Sequence, residues 1–199
     1  MTDFNRLNRE FFYRNTIQVA KDLLGKFLVR ETKKGTIIGK INEVEAYLGP
    51  NDKASHSYNY KKTKRTMAMY EKPGTIYVYL IYGMYYCLNV ITEKKNMPCA
   101  VLIRRLLPIE GIEMMLKNRN VKIGKNFKNL ADGPGKLCMA LDITKDRFNL
   151  TDSCLPDSKL FFTQGEDVDE KNILRKKRIG IEYAAEDKDL LLRYLLLSE

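Results

Sequence analysis

Residues 75–92 restrict the possible folds of this chain more than any other stretch. They follow a Pro73-Gly74 turn and begin with Ile76, Tyr77, Val78, Tyr79, Leu80 and Ile81, the most β-prone run in the sequence. Gly83 interrupts that run after Tyr82, and residues 85–92 resume it. The pattern predicts a hairpin, or a kinked pair of strands, with tyrosines around its tip. More strands are expected at 26–30 and 36–47, joined by a Lys33-Lys34-Gly35 turn, and at 100–106, ended by Pro108. Residues 178–181 and 190–197 are expected to close the sheet. A helix capped by Asn15 or Thr16 places Ile17, Ala20, Leu23 and Leu24 at helical spacing and stops at Gly25. Residues 110–117 and 135–141 predict two further helices, whereas 53–65 is polar and irregular. There is no repeat and no regular βαβ alternation. The expected fold is therefore α+β: a single domain over 1–199, built on a mainly antiparallel curved β-sheet flanked by helices, with a protruding β-hairpin.

The chain has 199 residues, of which 44% are hydrophobic, enough for one core and too few for a second independent one. Apolar runs such as 190–192 and 195–197 are too short to span a bilayer. The start, Met1-Thr2-Asp3-Phe4-Asn5-Arg6, lacks a basic segment followed by an apolar one, so a cytosolic location is expected, without a membrane partner. Cys87, Cys99, Cys138 and Cys154 are scattered and His56 is the only histidine. That supply argues against a zinc site and suggests reduced, mostly buried thiols. The net charge of +10 favours polyanions, only weakly by itself. Three clusters carry it: Lys61, Lys62, Lys64 and Arg65; Lys117, Arg119, Lys122, Lys125 and Lys128; and Lys171, Arg175, Lys176, Lys177 and Arg178.

By strict alternation Ile37, Ile41, Glu43, Glu45 and Tyr47 share one strand face, which begins with isoleucines and ends with two acids and a tyrosine. An acid in that place usually points to solvent. Tyr47, two residues beyond Glu45, offers the alternative of a carboxylate beside an aromatic platform, the pair a base-processing site needs. Glu43 and Glu45 lie side by side, which is the wrong geometry for the two carboxylates of an O-glycosidase. Tyr77, Tyr79, Tyr82, Tyr85 and Tyr86 are either cross-strand packing or, with Met84 at the tip, a wedge between base steps. Asp132-Gly133-Pro134-Gly135-Lys136 lacks the first glycine and the final Ser or Thr of a phosphate-binding loop, so a nucleoside triphosphate site is unsupported. Its glycines could still present a helix start to a DNA phosphate.

Six segments in order resemble the alkyladenine (3-methyladenine, mammalian-type) DNA glycosylase family. They are Glu43-Val-Glu-Ala-Tyr-Leu-Gly-Pro50, Lys72-Pro-Gly-Thr-Ile-Tyr-Val-Tyr79, Ile81-Tyr-Gly-Met-Tyr85 with Asn89, Val101-Leu-Ile-Arg104, Pro108-Ile-Glu-Gly111 and Gly133-Pro-Gly-Lys-Leu-Cys138. The resemblance implies Glu45 as the general base and Arg104 as the residue that helps hold the attacking water, with backbone near Ile179 also touching it. It implies Tyr47 as one wall of the base pocket, and His56 and Tyr79 as the other. Asn89 would crowd the exocyclic amine of guanine. Tyr82, with Met84 beside it, would fill the gap left in the duplex. The chain departs from the pattern at Lys64, where a proline is familiar, at Thr66-Met67-Ala68, and by two extra residues in the loop at 94–97.

The implied activity is monofunctional base excision. An alkylated or deaminated purine is flipped out of double-stranded DNA and its N-glycosidic bond is hydrolysed, leaving an abasic site. Neither a cofactor nor a metal is expected. The protein should act as a monomer, in a bacterial nucleoid or a eukaryotic nucleus. Two rivals remain: a non-catalytic nucleic-acid-binding protein, and an N-ribosyl hydrolase of free nucleosides.

Overall fold

The computed structural model describes residues 4–122 and 127–197. Met1-Thr2-Asp3, Lys125 and the side chain of Lys128, all named above, lie outside the described residues. In chain order the elements are α1 (Arg9–Phe12), α2 (Thr16–Leu23), β1 (Phe27–Thr32), β2 (Gly35–Tyr47), β3 (Ile76–Ile81), β4 (Tyr85–Thr92), β5 (Cys99–Glu110), α3 (Ile112–Asn118), α4 (Pro134–Ala140), α5 (Lys145–Phe148), β6 (Leu160–Thr163), β7 (Ile173–Lys176) and β8 (Arg193–Leu196). The eight strands form one antiparallel sheet in the order β3-β4-β5-β2-β1-β6. β2 also pairs with β8, and β8 with β7. The class is α+β, as expected.

β2 organises the sheet. Its first half pairs with β1 and its second with β8, while β5 runs along its other side. One face of the sheet is apolar, with Ile76 and Val78 of β3, Leu88 and Val90 of β4, and Val101, Ile103 and Leu106 of β5 in the main core. α2 packs on β2, α4 on β4 and β5, and α5 on β3, so these helices cover that face. The opposite face of β3, β4 and β5 carries Tyr77, Tyr79, Cys87, Asn89, Leu102 and Arg104, and a cavity lies over it.

Strict alternation fails along β2. Its ladder with β5 shifts between Ile41 and Glu43 and again between Glu43 and Val44, leaving Asn42 and Arg104 as unpaired extra residues. A one-residue slip exchanges the faces of a strand. Ile37 and Ile41 therefore point into the core, as do Val44 and Ala46, while Glu43, Glu45 and Tyr47 are moved to the cavity side. The expectation that all five residues share one face is overturned by this bulge.

Other boundaries moved for local reasons. β5 runs through Pro108 to Glu110, because a third shift at Gly39 accommodates a residue without an N–H. The next helix starts at Ile112, after Gly111 takes a left-handed φ of 74°. α4 begins at Pro134, one residue early. Residues 178–181 form a bend rather than a closing strand; the strand before them is β7, and the last one is limited to Arg193–Leu196. α1, α5 and β6 had not been anticipated. The hairpin matches expectation: Ile76 pairs with Val90 and Ile81 with Tyr85, and Tyr82 and Gly83 turn the chain with positive φ values of 51° and 70°.

Candidate active site

The cavity of about 500 Å³ is floored by β3, β4 and β5 and roofed by residues 54–69 and 179–183. Tyr47, His56, Tyr79, Asn89, Tyr82 and Arg104 all line it. The resemblance had implied Tyr47, His56, Tyr79 and Asn89 as the base pocket, Arg104 at the attacking water and Tyr82 in the gap of the duplex, and the fold brings all six to one cavity. Met84, 65% exposed, stands outside the cavity beside Tyr82, itself 82% exposed at the hairpin tip.

Glu45 is 0% exposed, so the solvent-facing reading is overturned. The bulge turns it toward the cavity, and its three closest donors there are cavity-lining residues. Oε1 accepts the Ile179 amide at 2.9 Å and lies 3.1 Å from Arg104 Nη1, and Oε2 accepts the Tyr47 hydroxyl at 2.8 Å. Burial pushes the Glu45 carboxyl above its ordinary value; Arg104, the Ile179 amide, Tyr47 and Arg178 pull it back without offsetting burial. Burial would lower Arg104, but Glu45 and then Glu43 hold it above its usual value, so it stays charged. Glu43 takes a different part. Its Oε1 accepts from Arg104 Nε at 3.0 Å and from Arg193 Nη1 at 3.1 Å, so it fixes the arginine rather than facing the slot.

Tyr79 meets His56 edge-on with ring centroids 4.6 Å apart, and Tyr77 lies 5.2 Å from Tyr79. His56 Nδ1 is 3.0 Å from the Tyr77 hydroxyl. Burial, then Arg65 and Lys61, lower His56 to about 4, so it is neutral at physiological pH. Asn89 is buried and its Nδ2 donates to the Tyr77 carbonyl at 3.2 Å. The Arg65 guanidinium sits 5.1 Å from the Tyr79 ring centroid at the rim. Tyr77, Arg65 and Arg178 were not assigned to the site in the sequence. Tyr77 was visible as one of the clustered tyrosines, and the two arginines only as members of charge clusters.

A buried carboxylate paired with an arginine behind an aromatic slot can accept a proton from water while flat rings hold a planar ligand. Among the described residues neither a carboxylate nor a lysine lines the cavity itself; Glu45 stands directly behind the lining residues Tyr47, Arg104 and Ile179. Fold and site provide what a base-excising enzyme needs, and comparison with known proteins supplies the class, a DNA glycosylase. A profile described as methylpurine-DNA glycosylase matches residues 10–199. A protein of Clostridium novyi (strain NT) is 51% identical, covering 96% of this chain and 94% of its own length. One from Clostridium tetani is 50% identical over 96% and 95%, and one from Alkaliphilus oremlandii 44% over 96% and 95%. The names of all three assign them provisionally to the 3-methyladenine DNA glycosylases. The chain belongs to the methylpurine-DNA glycosylase family, and DNA is its partner. No helix among the described residues is long and apolar enough to cross a membrane.

Proposed function

We propose that the whole chain is one catalytic domain that excises alkylated purines, and deaminated ones such as hypoxanthine, from duplex DNA, with Glu45 as the general base. The observation that carries this is the burial of Glu45 against Arg104, Tyr47 and the Ile179 amide, behind a slot that no other carboxylate lines among the described residues. The nucleotide flips into the space between Tyr47 and the His56–Tyr79 wall, and Tyr82 and Met84 fill the gap it leaves. Alkylation at N3 or N7 makes the purine cationic. It leaves neutral, with the electron pair of the bond to C1′, so no second carboxyl is needed to protonate it. Hypoxanthine is uncharged in DNA and leaves neutral by taking up a proton at N7 from solvent. Water adds its oxygen to C1′ and gives its proton to Glu45, while the carboxylate steadies the developing oxocarbenium ion. A carboxylate offers about four acceptor positions, so the three donors on Glu45 leave room for that water. The absence of a lysine from the lining, among the described residues, argues against a Schiff base and for an intact strand at the product.

The test is release of free base from 7-methylguanine- and inosine-containing duplexes, with each strand's integrity followed on denaturing gels. Free base should appear, and the strand should break only after alkali. Base release from free nucleosides at an equal rate would favour the N-ribosyl hydrolase instead, and strand nicking without alkali would refute the monofunctional reading.

A further inference from the structure

Residues 177–192 leave the sheet between β7 and β8 as an irregular excursion over the end of β2. Arg178 lies at its root with a fully buried side chain that does not line the cavity. Its guanidinium forks onto Asp52, Nη1 to Oδ2 at 2.5 Å and Nη2 to Oδ1 at 2.8 Å. Nη1 also donates to the Ala46 carbonyl on β2 at 3.0 Å, and Nη2 to the Asp187 carbonyl at 3.3 Å. The central carbon of the guanidinium stands 4.8 Å from the Tyr47 ring centroid. Tyr47 lines the slot and Arg178 does not, so the cation backs the ring from outside the cavity. Asp52 in turn accepts the Leu48 and Ala54 amides, at 2.9 and 3.0 Å, two residues before His56. The residue after Arg178 is Ile179, whose amide holds Glu45.

We propose that Arg178 is a positioning residue for the glycosylase site, one guanidinium that fixes the Tyr47 wall, the segment bearing His56, and the amide that orients Glu45. A buried ion pair is weak evidence of stabilisation, since desolvation offsets much of its attraction. Here every group the guanidinium touches, Asp187 excepted, belongs to or adjoins a slot element. The inference rests on the reading of Glu45 as the base.

Ionised Glu45 is faced by Arg104 of β5, Tyr47 of its own strand, and Arg178 and the Ile179 amide of the excursion. Across the cavity stand Tyr79 of β3 and Cys87 of β4. Burial pushes the Cys87 thiol up to about 11 and Tyr79 well above its ordinary value, so both stay neutral. Loosening the excursion would weaken the Ile179 hydrogen bond and draw the Arg178 charge away. Both changes disfavour the carboxylate, so the acid limb of the rate profile should move to higher pH.

Two variants test this. Arg178→Lys keeps the charge but loses the fork. Ile179→Pro, at a residue 52% exposed, removes the amide donor and leaves the buried pair intact. Single-turnover base release from a 7-methylguanine duplex is measured against pH, alongside affinity for a duplex carrying a tetrahydrofuran abasic analogue. Arg178→Lys should bind that analogue nearly as the parent does and release base on the order of 10²-fold more slowly, the scale of a small misplacement. Both variants should show the acid limb displaced upward. A parental acid limb in Arg178→Lys, whatever its rate, overturns the proposal, provided Glu45→Gln is inactive. If Arg178→Lys fails to fold, a parental limb in Ile179→Pro overturns it alone. An active Glu45→Gln would instead remove the base assignment on which the proposal rests.

Discussion

Burial and ionisation oppose each other at Glu45, and the conflict has a thermodynamic signature. A carboxyl whose folded pKa lies above its unfolded value stabilises the fold fully only below the unfolded pKa, and loses that contribution as pH rises through the folded one. Near neutral pH the buried carboxylate is therefore held at a cost, and Glu45→Gln should melt no lower than the parent at pH 8, by calorimetry. A clearly lower melting temperature would mean that the carboxylate is structural. His56 behaves in the opposite sense. Its folded value, lowered from 6.5 to about 4, gives stability present above pH 6.5 and lost as pH falls toward 4. Replacing it by Gln should flatten the acid side of the melting curve against pH; an unchanged slope would show that other groups dominate there. At this scale the residue types were legible in sequence, because the resemblance named them. Burial was not, since no local pattern shows that an acid at a strand end is covered by an excursion more than a hundred residues away.

Among the elements, β2 decides where the chemistry sits. The unpaired Asn42 exchanges the faces of the strand between Ile41 and Glu43. Deleting Asn42 would let plain alternation carry the strand from Ile41 to Glu43, with Val44 and Ala46 still in the core and Glu43 and Glu45 still on the cavity side. The deletion variant should therefore keep a cooperative thermal transition in circular dichroism; loss of that transition would show that Asn42 does more than exchange the faces of the strand. The hairpin and α2 could be read from the sequence because their signals are local, a glycine-bearing tip and an Asn15 cap that accepts the Ile17 and Gln18 amides. The bulge could not, since its cause lies in the register with β5. Strand pairing likewise carried β5 past Pro108, where the local signal said stop. Residues 178–181 read as a strand but serve as a bend, because Arg178 and Ile179 are held by Asp52 and Glu45 rather than by a ladder.

Across the whole molecule the charge of +10 resolves into unequal clusters. The third is largely neutralised: Lys171 pairs with Asp169, Arg175 with Glu170, Lys177 with Asp189 and Arg178 with Asp52. Lys61, Lys62, Lys64 and Arg65 have no carboxylate within ion-pairing distance among the described residues, and Arg65 lines the cavity. Phosphate contacts are expected there, at the rim where a flipped strand must pass. Each Lys→Gln change in this cluster should lower the slope of log affinity against log salt by about 1, whereas Lys171→Gln should leave it unchanged. Equal effects from both clusters, in filter-binding titrations over a salt series, would contradict this assignment. Charge counting in the sequence treated the clusters alike, and only the ion pairs distinguish them.

Single-turnover base release by Glu45→Gln on a 7-methylguanine duplex, at saturating protein and with DNA binding checked in parallel, tests the central claim most directly. With Glu45 as the base that activates water, the variant binds the duplex as the parent does but releases base at least about 10²-fold more slowly, the lower end of general-base catalysis. Base release at the parental rate would contradict it.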